Sequence, residues 1–170
     1  VCLVKYHIRQ RAWALREEFI VRDQGGGPAF KIKSKFFHIG DHLIIQEYGS
    51  RARVARIKQK KLHLRPHYAI YRNDAYCAGL HEKLLHRAGE RFKIKLRDGS
   101  VYHIEGNIWN WDFTVTNDRG DLLAQISQRV SLLRDYYGVD IAQGVDVPFI
   151  IALAITIEKI REHQTSREQG

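Results

Sequence analysis

From Val147 to Ile160 the chain reads Val-Pro-Phe-Ile-Ile-Ala-Leu-Ala-Ile-Thr-Ile-Glu-Lys-Ile, and no other stretch limits the available folds as strongly. Between Phe149 and Ile157 the one polar side chain is Thr156. Asp146 suits a helix N-cap, and Pro148 falls in the first turn, where its missing N–H costs nothing. Ala152, Leu153 and Ala154 favour helix, and the isoleucines tolerate it. A helix that is apolar all round must be buried, in lipid or in protein. This run falls well short of the ~20 residues that span a bilayer. The expectation is a core helix over about 146–163, with everything upstream built to enclose it.

The upstream sequence repeats. Ile8-Arg-Gln10-Arg11-Ala-Trp-Ala-Leu15-Arg16-Glu-Glu-Phe19-Ile-Val21 aligns without gaps to two later segments, Ile57 to Ile70 and Ile126 to Val139. All three follow Ile-x-Gln-[Lys/Arg]-x-x-x-Leu-Arg-x-x-[Phe/Tyr]-x-[Ile/Val], which marks a structural repeat. Weaker copies lie between them: Ile32 to Ile45, a unit running from near Cys77 to Ile94, and a shortened unit from Ile104 to Val115. The unit ends alternate apolar and polar residues, as in Phe30-Lys-Ile32-Lys-Ser34 and Phe92-Lys-Ile94-Lys-Leu96, which is the period of a strand. Turn signals separate the units: Asp23-Gln-Gly-Gly-Gly-Pro28, Tyr48-Gly-Ser50, Asn73-Asp74, Asp98-Gly-Ser100 and Asp118-Arg-Gly120. Gly40-Asp41 and Ala88-Gly89 read as short connections inside units. Six hairpins give about twelve strands. A sheet that long curls or closes, and a buried helix fills the interior of a wide barrel. The fold expected is mainly β: one domain, with a closed antiparallel barrel over about 5–142 around the C-terminal helix.

Twelve strands in repeated hairpins before a buried helix introduced by Asp146-Val-Pro-Phe resemble the LURP-one-related family. The resemblance is carried by Phe19-Ile-Val-Arg-Asp23, Pro28-Ala-Phe-Lys-Ile32, Ala55-Arg-Ile-Lys-Gln-Lys60 and Asp118-Arg-Gly-Asp-Leu-Leu-Ala-Gln-Ile126. It runs from about Tyr6 to Glu162. It implies the tubby-like barrel shared with tubby proteins and, by proposed relationship, with phospholipid scramblases. It brings no catalytic motif. Tubby proteins bind phosphoinositides through basic residues, and none of those positions is carried over to this chain.

Charge bears on partners. The chain of 170 residues has 28 Lys and Arg against 19 Asp and Glu, a net +9. That balance favours polyanions, whether anionic lipid, nucleic acid or acidic protein. Lys31, Lys33 and Lys35 alternate with Phe30, Ile32 and Ser34 and so share one face of a strand. Arg56, Lys58 and Lys60 do the same, with Arg51, Arg53 and Lys61 beside them in sequence, and Lys93, Lys95 and Arg97 form a third row. Cations in such rows suit phosphoinositide head groups or nucleic-acid phosphates. The same rows also serve to deter edge pairing. His38 and His42, and His63 and His67, recur four apart near hairpin turns as weak metal candidates, with no carboxylate or Cys partner in a known pattern.

Several chemistries have no support. Gly25-Gly-Gly-Pro28 leads into a strand and lacks the Gly-Lys-[Ser/Thr] of a phosphate loop. No Gly-x-Ser-x-Gly or His-Glu-x-x-His occurs. Gln10, Gln59 and Gln128 share parity with the inward isoleucines and read as structural amides, and Trp109 and Trp111 as wall or core aromatics. Two cysteines, Cys2 and Cys77, make neither a disulfide framework nor a zinc site. Val1–Arg16 has no apolar core like that of a signal peptide, and Lys5, Arg9, Arg11 and Arg16 fall within it. The expected function is a non-enzymatic binding or scaffold module without cofactors, in the cytoplasm or peripheral at a membrane, engaging anionic phospholipid through its basic strands. Nucleic-acid binding by the same surface is the alternative, and a lipid-directed enzyme or transporter is disfavoured by the short helix.

Overall fold

The structure is a computed structural model that describes residues 2–9, 18–37, 40–60, 67–81, 91–128 and 135–170. Twelve strands form one antiparallel sheet: β1 (Leu3–Arg9), β2 (Phe19–Asp23), β3 (Pro28–Phe37), β4 (Gly40–Glu47), β5 (Arg53–Lys60), β6 (His67–Arg72), β7 (Ala75–His81), β8 (Arg91–Lys95), β9 (Val101–Asn107), β10 (Asp112–Thr116), β11 (Leu122–Ser127) and β12 (Tyr136–Ala142). One α-helix among the described residues, α1 (Val147–Glu168), follows. The strand order β7-β6-β5-β4-β3-β2-β1-β12-β11-β10-β9-β8 makes every ladder partner a sequence neighbour except for β1 with β12. That pair joins the two halves over seven registered positions, Leu3↔Ala142 to Arg9↔Tyr136. The sheet curls into a nearly closed barrel.

Alternation sets the two faces. Ile32, Leu43, Ile45, Ala55, Ile57, Ile94, Ile104 and Ile126 are buried on the inner face, and the lysines between them point outward. Those inner residues and α1 form one core, in which Phe149 to Ile157 and Ile160 are all buried. Thr156 is fully buried and returns its hydroxyl to Ala152 O at 2.7 Å, so the one polar residue in the run brings no unmet donor.

The helix start is pinned by one carboxylate. Asp146 Oδ1 caps α1 by accepting from Phe149 N at 3.2 Å. Arg72 Nε, at the end of β6, meets both oxygens of Asp146 at 2.9 Å, and the same guanidinium donates to Val54 O of β5. The helix runs to Glu168, beyond the end expected from sequence. Glu158, although ionisable, is buried at 2% exposure.

All five turn signals lie between strands. Asn73 and Asp74 both take left-handed backbone, with φ of 46° and 64°, as a two-residue hairpin that follows the strand twist requires. Ladder irregularities recur at Val21, Ile45, Ile70 and Val115, at the same end of their hairpins, where extra twist tightens the wall. Gly40-Asp41 is not a connection; it opens β4. Gly106 has φ of 122°, and a Cβ there would lie 2.5 Å from Asp112 O, so β9 meets β10 only with glycine at that position.

Five of the six expected hairpins are hydrogen-bonded. The fourth, β7 with β8, has no ladder among the described residues, and its strands are the two ends of the sheet. Among the described residues one backbone bond crosses this seam, Arg97 N to Cys77 O at 2.8 Å.

Candidate functional site

The registers place the basic rows of β3 and β5 on one outer face, two strands apart, with β4 between them. Lys33 lies opposite Ile44, which lies opposite Arg56; Lys35 lies opposite His42, which lies opposite Lys58. Continuing round the barrel, Arg56 faces Tyr71, Lys58 faces Ala69 and Lys60 faces His67. On β7 their neighbours are Tyr76, Gly79 and His81. Strands β3 to β7 hold eight cations (Lys31, Lys33, Lys35, Arg53, Arg56, Lys58, Lys60, Arg72) against two acids, Asp41 and Glu47. Strands β9 to β12 hold no Lys or Arg and three acids, Glu105, Asp112 and Asp140. The barrel wall is therefore polarised, which composition alone does not reveal.

Partners divide the cations into two groups. Lys31 and Lys33 converge on Glu18, Lys33 at 3.1 Å, and these two lysines hold the Glu18 carboxyl below its ordinary range. Arg53 pairs with Asp74 at 2.9 Å. Arg51 sits in the β4–β5 turn, with φ of 59° and an exposed side chain. Arg56, Lys58 and Lys60 have no carboxylate within ion-pair distance among the described residues. Two of them lie over aromatic rings instead: Arg56 Cζ is 4.5 Å from the Tyr71 centroid and Lys60 Nζ 5.8 Å from that of Tyr76. Arg56 Nε is buried and unpaired among the described residues. Tyr71 and Tyr76 meet edge to face at 5.9 Å. Lys61 lies outside the described residues, and Lys35 is placed by its backbone alone.

The face also has an apolar and an imidazole component. Ile44 points outward but is buried beneath its charged neighbours. His67 meets His81 across the ladder at 5.9 Å between ring centroids. Gly79 beside them is tightly covered, since a Cβ there would lie 2.8 Å from His67 Nε2 and 2.9 Å from Tyr76 Oη. Of the four histidines singled out from sequence, His38 and His63 lie outside the described residues, and His42 and His67 sit on β4 and β6 at separate places. No group of three His, Cys, Asp or Glu among the described residues is arranged to hold a metal.

Lys93 and Lys95 are exposed on β8, across the seam from β7, and so do not join the β3–β5 rows. Gln59 is half-buried and Gln128 exposed, while Gln10 lies outside the described residues. The two tryptophans part company: Trp111 is buried and Trp109 is 39% exposed. Sequence reading missed Tyr71, Tyr76 and His81 as members of the basic face. Their strand period gave their parity, but only the register shows which cations they stand beside.

A second cluster plugs the barrel near the C-terminal half of α1. Trp111 stacks on Tyr137 at 4.2 Å with 15° between planes, and Arg161 Cζ covers the Trp111 ring at 4.2 Å. The Arg161 guanidinium also donates to Trp109 O. Tyr137 Oη donates to Glu158 Oε2 at 3.5 Å. Burial, and then the charge of Glu158, push the Tyr137 phenol well above the ordinary tyrosine range. This plug fixes the helix against β10 and β12.

A helix-filled antiparallel barrel with one cationic side defines the class: a β-barrel built from hairpin repeats around a central C-terminal helix. The chain belongs to the LURP-one-related family, whose model matches residues 4–158. It is 24% identical over 158 residues to the uncharacterized protein YxjI of Bacillus subtilis (strain 168), covering 93% of this chain and 94% of that protein. The X-ray structure of an Arabidopsis thaliana protein has a similar fold, with a TM-score of 0.65 at 15% identity, covering 93% of this chain and 91% of the other. No helix among the described residues is long and apolar enough to cross a membrane.

Proposed function

We propose that the chain is a non-enzymatic binding module that docks on anionic phospholipid head groups, phosphoinositides among them, through the outer face of β3 to β7. The observation that carries this reading is the set Arg56, Lys58 and Lys60, which have no carboxylate partner among the described residues and lie on a wall with eight cations and two acids. A juxtaposed Lys or Arg contributes about 1 kcal/mol near an anionic membrane surface. Tyr71 and Tyr76 add rings of the kind that sit at head-group level. The protein would then act in the cytoplasm, peripheral at a membrane.

Nucleic acid is the competing polyanion. Arg56 and Lys60 already lie over the rings that a base would stack on, which favours the lipid reading. Co-sedimentation with phosphatidylcholine vesicles, with and without a phosphoinositide, is compared with an oligonucleotide mobility shift at the same stated salt. Vesicle binding that needs the phosphoinositide and is lost in Lys58→Glu/Lys60→Glu is the expected result. Binding to the oligonucleotide alone, or vesicle binding unchanged in that variant, would contradict the proposal.

A further inference from the structure

The missing β7–β8 ladder leaves a cleft in the wall. It measures about 430 Å³ and is lined by Ala75, Tyr76, Cys77, Leu96, Arg97 and Asp98. Its size falls in the lower part of the range of small-molecule sites, ~300–1,000 Å³. Cys77 and Leu96 are partly buried and pack on the central core, as does Tyr102 of β9. Tyr102 meets Phe149, in the first turn of α1, edge-on at 5.7 Å. The apolar floor of the cleft is thus continuous with the barrel interior.

The rim is polar and mostly cationic. Arg97 is exposed, as is Lys95 two residues before it, and Lys60 lies over the ring of Tyr76 on the other bank. Asp98 is the one acid among the described lining residues, and its carboxylate is turned back on its own loop, accepting from Ser100 N at 2.8 Å and from the Ser100 hydroxyl. An apolar slot of this size, opening under a guanidinium, is complementary to a long alkyl chain that ends in a negative group. The volume suits one chain rather than two.

We infer that the seam between β7 and β8 binds a single acyl chain of an anionic amphiphile, with the chain in the cleft and the head group at Arg97. Its head-group end at Arg97 lies outside the β3–β5 rows, which border the cleft at Lys60. It would let the protein hold one lipid molecule as well as touch a lipid surface. A free fatty acid and a monoacyl phospholipid share the required chemistry.

Cys77 reports on the cleft from within, and Cys2, which is exposed, is the internal reference. The rate of maleimide labelling is followed at each cysteine by mass spectrometry, with oleate, lysophosphatidic acid or monoolein added below their micelle concentrations. Oleate in large excess over its Kd should slow labelling of Cys77 at least about tenfold, since occupancy follows mass action, and leave Cys2 unchanged. Arg97→Gln should raise the oleate concentration needed by about tenfold, the effect of losing a hydrogen bond to a charged group. Monoolein should protect less than oleate. Protection by oleate but not by lysophosphatidic acid would assign the site to free fatty acids.

Ala75→Trp, made at an exposed residue of the lining, should fill the cleft and abolish protection while the circular dichroism spectrum and vesicle binding persist. Equal effects on both cysteines, no effect on either, or full protection in Ala75→Trp would overturn the inference. Vesicle binding without protection would overturn the cleft alone. Protection without vesicle binding would uphold the cleft and overturn the surface reading.

Discussion

Asp146 carries two interactions on one carboxylate, the cap of α1 and the ion pair with Arg72. An N-cap is worth about 0.5–2 kcal/mol, and a half-exposed ion pair less than about 1. Asp146→Ala should therefore cost about 1–2 kcal/mol in urea unfolding. Asp146→Asn keeps the cap and should cost less than half of that. Equal losses in the two variants would mean that the cap contributes nothing. Sequence identified Asp146 as a cap because an Asp before Pro is a local signal. Arg72 was not legible, since it lies 74 residues away and reaches Asp146 only through the register of β6. Tyr137 allows a pH test. The folded chain holds its phenol proton more tightly than the unfolded chain. The resulting stability is intact below about pH 10, the unfolded value, and is lost as the pH rises past it. Tyr137→Phe should be less stable at neutral pH by about 1 kcal/mol, through the lost hydrogen bond to Glu158. Above pH 10 the stability curves of the two proteins should converge; parallel curves would count against the buried phenol.

At the scale of elements, the helix was legible from its unbroken apolar run and the strands from their alternation. A charge in α1 would meet the core on every side, so Leu153→Asp or Ile155→Lys should leave no cooperatively folded soluble protein. Leu153→Ala should cost about 2–5 kcal/mol, the usual range for a buried Leu. A soluble variant with native circular dichroism at Leu153→Asp would remove the central helix from the account. The extent of α1 was harder to read: Glu158 looks like a surface residue in sequence, yet Tyr137 and its neighbours bury it. The fourth hairpin was read from the same repeat as the others, and repetition does not report whether a particular ladder closes. Hydrogen exchange should find the seam. Amides of β7 and β8 that face it should exchange orders of magnitude faster than those of β1 and β12, whose ladder is continuous. Equal protection would mean that the barrel is closed at β7–β8 as well.

At the scale of the whole molecule, net charge and arrangement carry different information. A surplus of nine cations is visible in composition, and its rows are visible in the alternation of Lys31 to Lys35 and Arg56 to Lys60. What was not visible is that Glu18 takes up two of these lysines, and that β9 to β12 carry acids without Lys or Arg. The first depends on how β2 packs beside β3, and the second on where each strand begins and ends. The central claim is that a face, rather than net charge, binds the anionic surface. Two variants with the same change in charge test it most directly. Lys58→Gln/Lys60→Gln removes two cations from the face. Lys93→Gln/Arg119→Gln removes two exposed cations from β8 and the β10–β11 turn. At about 1 kcal/mol per cation, the first should weaken binding to phosphoinositide vesicles by roughly 30-fold, and the second by less than about threefold. Equal losses in the two variants would contradict the account.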